Sequence, residues 1–350
     1  MATFHSLKIK EISQNTPSSV TVSFDIPEAQ KDNFSFDAGQ YITIKKELNG
    51  EELRRAYSIC SAKNSGGLSI GIKEVTDGTF SKYANTSLKA GDVLEIHEPE
   101  GKFTLTSTSE KRTIAAFAAG SGITPIMSIM KTLLEEESES SFVLVYGNKT
   151  VEETMFHSEI NELINTYPDR LSVYFTYSQE ASESILSGRI DKSTVNYIIK
   201  NVHKDQVFDA FYLCGPEEMI TTVSDTLKES NIAEDKIKFE LFTSSSDNSS
   251  AQKLIADGNV QIKVQVDDEE FSFTADKSKR ILDVILEQKI DAPYSCQGGI
   301  CSSCIAKVTE GKAEMTQNQI LTDTEVAEGL ILTCQAHALT DTITVDYDDV

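Results

Sequence analysis

Four of the six cysteines, Cys296, Cys301, Cys304 and Cys334, follow the spacing C-x4-C-x2-C-x29-C. Thiolates are soft, charged ligands. Four of them at this spacing suit a [2Fe–2S] cluster, with two sulfur ligands on each iron. The loop between the first two, Gln297-Gly298-Gly299-Ile300, has to fold tightly around such a cluster. Its glycines permit positive φ there, which frees backbone N–H groups to point at sulfur. A zinc site made from the same four residues is the competing chemistry. Zinc ribbons usually pair two C-x2-C units, and this chain has one.

A second group of polar motifs sits after apolar runs. Gly120-Ser121-Gly122-Ile123-Thr124-Pro125 follows the apolar run 114–119 and opens a helical stretch. Proline is well placed in the first turn of a helix. Tyr146-Gly147-Asn148-Lys149, Ser178-Gln179-Glu180 and Cys214-Gly215-Pro216-Glu217-Glu218-Met219 each end a later apolar run. In parallel sheets ligands bind at the carboxyl ends of the strands, so this coincidence has a physical meaning. Taken alone, Cys214 reads as a small buried core residue.

The elements that must position these residues fall into three stretches. The first hundred residues alternate polar and apolar in short runs (19–24, 41–44, 68–72), punctuated by Asn49-Gly50, Gly66-Gly67 and Asp77-Gly78. That pattern predicts an antiparallel barrel over 1–107. From 108 to 243, apolar runs at 114–119, 142–146, 171–175 and 208–213 alternate with helical segments such as 126–134. A parallel, doubly wound α/β sheet is expected there. Residues 244–252 are rich in serine and read as a linker. The last stretch, 253–350, combines strands at 260–266 and 342–345 with a helix at 281–286. No internal repeat is visible.

The cysteine loop, Pro293-Tyr294-Ser295-Cys296-Gln297-Gly298-Gly299-Ile300-Cys301-Ser302-Ser303-Cys304, resembles that of plant-type ferredoxins, and its surroundings resemble their α+β β-grasp fold. Gln297 stands where such loops often carry arginine. Arg55-Ala56-Tyr57-Ser58 resembles the R-x-Y-S flavin motif of the ferredoxin–NADP reductase family. The resemblance places Tyr57 against the flavin ring, Ser58 near its N5 and Arg55 on the pyrophosphate, and arginine suits phosphate through bidentate bonds. By itself R-A-Y-S would pass for an ordinary strand with a surface arginine. Gly78-Thr79-Phe80-Ser81, after a strand ending Ile72-Lys73 and before a helix near Ser81, matches the family's FAD-pyrophosphate turn. Gly101-Lys102-Phe103 resembles the segment that closes its barrel. The G-x-G-x-T-P loop (Gly120, Ser121, Gly122, Thr124, Pro125) resembles its coenzyme-pyrophosphate loop, and C-G-P-x-x-M (Cys214, Gly215, Pro216, Met219) its nicotinamide-side motif. The family's final strand matches residues 238–242 and ends near the flavin, which adds Glu240 to Tyr57, Ser58 and Cys214 as residues implied at the reacting centre.

The resemblance spans nearly the whole chain. It implies a reductase component that moves electrons from a nicotinamide coenzyme through FAD and a [2Fe–2S] cluster to an oxygenase component. A di-iron oxygenase is the expected partner. Reductases of Rieske ring hydroxylases or steroid hydroxylases, and a self-standing reductase with small-molecule acceptors, are the alternatives. NADPH is the expected coenzyme, by a narrow margin over NADH. Family members that use NADPH carry Ser-Arg where this chain has Ser178-Gln179, and Lys149 offers a partial substitute.

Composition narrows the field further. The chain has 350 residues, 39% hydrophobic and 25% charged, enough for two to three globular domains. With 32 Lys and Arg against 55 Asp and Glu, its net charge is −23. Such a surface repels nucleic-acid phosphates and anionic membranes, so neither is an expected partner. No apolar stretch reaches membrane-spanning length and the N-terminus has no apolar leader core, so a cytoplasmic location is expected. The histidines 5, 97, 157, 203 and 337 lack metal-ligand spacing, Cys60 reads as core, and the acidic tail Asp346-Tyr347-Asp348-Asp349 reads as a solvated strand end.

Overall fold

The computed structural model describes residues 3–180, 186–242 and 258–350. The expected linker, 244–252, lies outside the described residues. Two compact units emerge, one built from His5–Leu53 with Tyr57–Phe242 and the other dominated by Thr243–Val350.

The first unit holds two sheets. One is antiparallel and comprises β1 (Phe4–Thr16), β2 (Ser19–Asp25), β3 (Tyr41–Leu48), β4 (Glu51–Ser58), β5 (Leu68–Lys73) and β6 (Val93–His97), with helix α1 (Thr79–Thr86) after β5. Its order is β4-β3-β6-β1-β2-β5, and a bridge between Ile59 and Ile70 brings its two edges together as a barrel requires. Period-two alternation drives it: Val20, Val22 and Phe24 of β2 are buried while Thr21, Ser23 and Asp25 between and after them are more exposed. Helix α1 begins at Thr79, two residues before the expected start.

The other sheet is parallel: β7 (Thr113–Ala119), β8 (Ser141–Asn148), β9 (Leu171–Tyr177), β10 (Ala210–Cys214) and β11 (Ile237–Glu240). Between them run α2 (Ile123–Glu136), α3 (His157–Thr166), α4 (Lys192–Asn196) and α5 (Glu217–Glu229). The order β11-β10-β7-β8-β9 puts a topological switch point between β7 and β10. β7 is apolar almost throughout because it is central and covered on both faces. Helix α2 is longer than the expected 126–134. Its first turn accommodates Pro125, whose missing N–H is one the helix start leaves unpaired anyway. The two sheets share a core in which Ala38, Cys60, Phe103 and Leu105 join Ile126, Met127 and Met130 of α2.

The C-terminal unit is a mixed sheet crossed by a helix. Its elements are β12 (Asn259–Val266), β13 (Glu269–Asp276), α6 (Ile281–Glu287), β14 (Ile305–Glu310), β15 (Ala313–Met315), α7 (Asp323–Ala327), β16 (Leu330–Leu332), β17 (Ala336–Ala338) and β18 (Thr342–Asp346). The main sheet runs β13-β12-β18-β14-β16, and β12 and β18 lie parallel at its centre, as in a β-grasp. The reading of the acidic tail as a solvated strand end holds for the exposed Asp348 and Asp349 and needs correction at Tyr347. The inward alternation of Ile343 and Val345 continues to Tyr347, which is buried, and its hydroxyl donates to Thr333 Oγ1 at 2.8 Å. Asp348 accepts the backbone N–H groups of Asp267 (2.9 Å) and Asp268 (3.0 Å), both at positive φ in the β12–β13 turn. Asp349 pairs with Lys307 at 2.7 Å.

Candidate active site and cluster loop

The carboxyl ends of β7 and β10 lie side by side, with Ala118 opposite Cys214 in the ladder. Residues 120–122 form one tight turn that delivers the chain into α2, and Gly120 takes φ +56°. A Cβ on Gly122 would stand 2.1 Å from the Cys214 carbonyl oxygen, so only glycine lets this loop approach β10. The Tyr146 hydroxyl donates to Gly120 O at 2.9 Å, and Thr124 Oγ1 to Ser121 O at 3.0 Å, which fix the loop from both sides. Neither α2 nor α5 has a side chain capping its first turn. Their positive dipole ends at the switch point suit a dinucleotide pyrophosphate.

On the barrel side, Tyr57 is half-buried at the end of β4, with its ring 5.7 Å from that of Phe80 in α1. Arg55 is exposed and Ser58 buried. Helix α1 also starts without a side-chain cap, after a turn in which a Cβ on Gly78 would fall 2.4 Å from Ser81 Oγ. That cradle of backbone donors, beside an aromatic face, fits the phosphates and ring of FAD. Ile72 is fully buried and its carbonyl accepts from Asn85 Nδ2 at 3.4 Å, so the structure shows no surface of it open to a ligand, and Lys73 pairs with Glu153 at 3.3 Å.

The two halves of the site meet at Glu240. Ser58 Oγ donates to Glu240 Oε2 at 3.3 Å, and Cys214 is the ladder partner of Glu240 across β10 and β11. Glu240 is half-buried, with its carboxyl accepting from Ser58. Burial pushes that carboxyl up to about 8, against the opposing pull of the Ser58 hydrogen bond. Burial, reinforced by Glu240, also raises the Cys214 thiol well above its usual range, so it is a neutral thiol and not a nucleophile.

The cluster loop presents its cysteines in a form that suits iron–sulfur chemistry. The thiols influence one another in two neighbouring pairs, Cys296 with Cys301 and Cys304 with Cys334. Two pairs of thiolates suit the two irons of a binuclear cluster. Gly298 N donates to Cys296 Sγ at 3.3 Å. Gln297 and Gly299 take φ +52° and +71°, and a Cβ on Gly299 would lie 2.9 Å from the Gln335 side chain. Ser295 Oγ is buried beside Cys296 and makes no hydrogen bond among the described residues, which suits a loop that closes around a bound group. Two supporting residues escaped the sequence reading. Gln335 Nε2 donates to Gln297 O (3.0 Å) and Cys334 Sγ (3.7 Å), and Thr333 Oγ1 donates to Cys304 O (3.0 Å). Their adjacency to Cys334 was the available signal.

The fold and these sites define a class: a flavin- and nicotinamide-binding oxidoreductase with an appended [2Fe–2S] domain. Residues 6–105 match the oxidoreductase FAD-binding domain family, 117–225 the oxidoreductase NAD-binding domain family, and 264–339 the 2Fe-2S iron-sulfur cluster binding domain family. The chain is 36% identical to a component of the 1,2-phenylacetyl-CoA epoxidase of Escherichia coli (strain K12), over 99% of each chain. It therefore belongs to the family of three-module reductases that includes that epoxidase component. It is also 28% identical to the ferredoxin reductase component of 3-ketosteroid-9-alpha-monooxygenase of Rhodococcus rhodochrous, over 97% of this chain and 96% of the relative. Among solved structures, phthalate dioxygenase reductase shares the fold with a TM-score of 0.62 at 21% identity, covering 98% of each chain. Among the described residues no helix is long and apolar enough to cross a membrane.

Proposed function

We propose that this protein is the cytoplasmic reductase component of a di-iron oxygenase, that the oxygenase is the phenylacetyl-CoA epoxidase of phenylacetate breakdown, and that NAD(P)H is its electron source. One observation carries the electron-transfer reading: the Ser58–Glu240 hydrogen bond and the Cys214–Glu240 ladder pair join the flavin motif to the coenzyme motif at one point. When bound, FAD supplies exchange between a two-electron donor and a one-electron acceptor, and the cluster supplies single-electron transfer. The chain's own residues position and exclude. Tyr57 would cover the flavin ring, Ser58 would hydrogen-bond to it, and Arg55 with the start of α1 would hold its phosphates. The 120–125 loop holds the coenzyme pyrophosphate, and residues 146–149, 178–179 and 214–219 border the rest of the coenzyme. Cys296, Cys301, Cys304 and Cys334 hold the cluster. The identity to the epoxidase component supports that acceptor.

The test is reconstitution with the epoxidase oxygenase component. NAD(P)H oxidation should become coupled to phenylacetyl-CoA epoxidation, on a preparation carrying one FAD and two irons per chain. Ferricyanide reduction without transfer to that oxygenase would overturn the assigned acceptor. Residues 251–350 carry 8 Lys and Arg against 18 Asp and Glu. The coupled rate should therefore fall as salt rises past physiological strength, where screening acts within about 8 Å.

Glu240 makes the coenzyme-driven step pH-dependent. Its carboxyl is raised, so it is neutral through most of the physiological range and ionises as pH passes about 8. A negative charge then appears between Ser58 and Cys214. Steady-state kcat/KM for the coenzyme should fall above about pH 8 in the wild type, and Glu240→Gln should abolish that inflection. The raised value also means that this group favours folding most fully below its ordinary pKa, and that this contribution is lost as pH rises through about 8.

A further inference from the structure

The residue after Cys334 turns its side chain back onto the cluster loop. Gln335 is 7% exposed, and both polar atoms of its carboxamide are engaged. Nε2 lies 3.0 Å from Gln297 O and 3.7 Å from Cys334 Sγ, and Oε1 accepts from Thr316 Oγ1 at 3.1 Å. A backbone carbonyl can only accept, so the nitrogen of the carboxamide has to face Gln297. Its two N–H donors then divide between Gln297 O and Cys334 Sγ. The support behind this arrangement is backbone pairing. β15 and β17 align Met315 with Ala336, and at the next step Thr316 N donates to Gln335 O at 2.9 Å. On the far side Gly299, at φ +71°, leaves the stem its room, because a Cβ there would stand 2.9 Å from Gln335 Cγ. The carboxamide is thus held from three directions with one N–H on a ligand sulfur.

One-electron reduction adds a negative charge to an iron–sulfur cluster and its thiolates. A hydrogen bond strengthens as charge builds on its acceptor. A fixed N–H beside a ligand sulfur therefore favours the reduced state and raises the reduction potential. Gly298 N also donates to sulfur, at 3.3 Å from Cys296 Sγ, but that donor is backbone. The donor of Gln335 belongs to a side chain and can be removed by substitution.

Resting on the four-cysteine cluster site described above, we infer that Gln335 is a positioning residue that raises the cluster's reduction potential. It so favours the passage of one electron from the reduced flavin to the cluster, a transfer in which no bond is made or broken and the coenzyme supplies the electrons. The test variant is Gln335→Met, which keeps the length and volume of the side chain and removes its donors. The readout is a redox titration of the holoprotein, with the cluster followed by its EPR signal and the FAD couple by absorbance. In Gln335→Met the equilibrium constant for reducing the cluster should fall about tenfold, which for one electron is about 59 mV to lower potential. The FAD couple should not move. The sign separates this role from mere bracing of the loop. Loss of a brace admits water, which solvates the more highly charged reduced state and raises the potential. An unchanged or raised potential in a variant that keeps its irons would overturn the inference. If Gln335→Met fails to hold iron, Thr316→Val decides. That change removes the bond on Oε1, keeps the Thr316 N–H on Gln335 O, and should lower the same constant about threefold; no change there would overturn the inference. A wild type without the EPR signal of a reduced [2Fe–2S] cluster would overturn the cluster site and the inference together.

Discussion

Cys301→Ala is expected to abolish the [2Fe–2S] cluster and leave the flavin half of the protein working. Cys301 pairs with Cys296 in the loop, so its loss leaves one iron position with a single thiolate. The C-terminal core that frames the loop is built from residues between Val260 and Tyr347, and the cores of the barrel and the parallel sheet contain none of them. Iron content should drop from two per chain towards none, with FAD retained. Coenzyme-dependent ferricyanide reduction should stay within about twofold of wild type, while transfer to the oxygenase falls by about two orders of magnitude or more. Equal loss of both activities would show that the cluster loop is needed for the flavin unit as well.

Gly122→Ala should have the largest effect among substitutions in the coenzyme loop. The added Cβ would sit 2.1 Å from the Cys214 carbonyl oxygen and 2.8 Å from the Gly215 nitrogen. Both are backbone atoms, so no rotamer change relieves the clash. The start of α2 has to move away from β10. Overpacking of this kind costs about 1–3 kcal/mol, or several degrees in Tm. Displacing the pyrophosphate loop by about an ångström should lower kcat/KM for the coenzyme by about a hundredfold. Gly67→Ala is the control: a Cβ there meets nothing within 4 Å, and neither Tm nor kcat/KM should move. Normal coenzyme kinetics in Gly122→Ala would mean that the loop does not hold the pyrophosphate.

The sequence by itself determined the parts of this protein whose chemistry is local. The cluster loop is legible because three of its four ligands and its positive-φ positions fall within nine residues, so that spacing fixes the geometry of the turn. The 120–125 loop is legible for the same reason: an apolar strand, a glycine turn and a helix start follow one another directly. The alternating burial of β2 and β12 was visible as period two, and the apolar run of β7 as a covered central strand. The compositional excess of acid was legible too, but not where individual carboxylates would lie.

Only the tertiary structure decided what meets across long separations. Ser58 and Glu240 are 182 residues apart, and their hydrogen bond exists because the barrel packs against the parallel sheet and β11 pairs in register beside β10. Cys304 and Cys334 become neighbours only when β14 and β16 align, so the fold brings the distant fourth cysteine to the loop. Tyr347 looked like part of a charged tail until the alternation of β18 carried it inward to Thr333. In each case the contact depends on strand order and register. These are set by the summed burial of whole sheets, so no short motif encodes them.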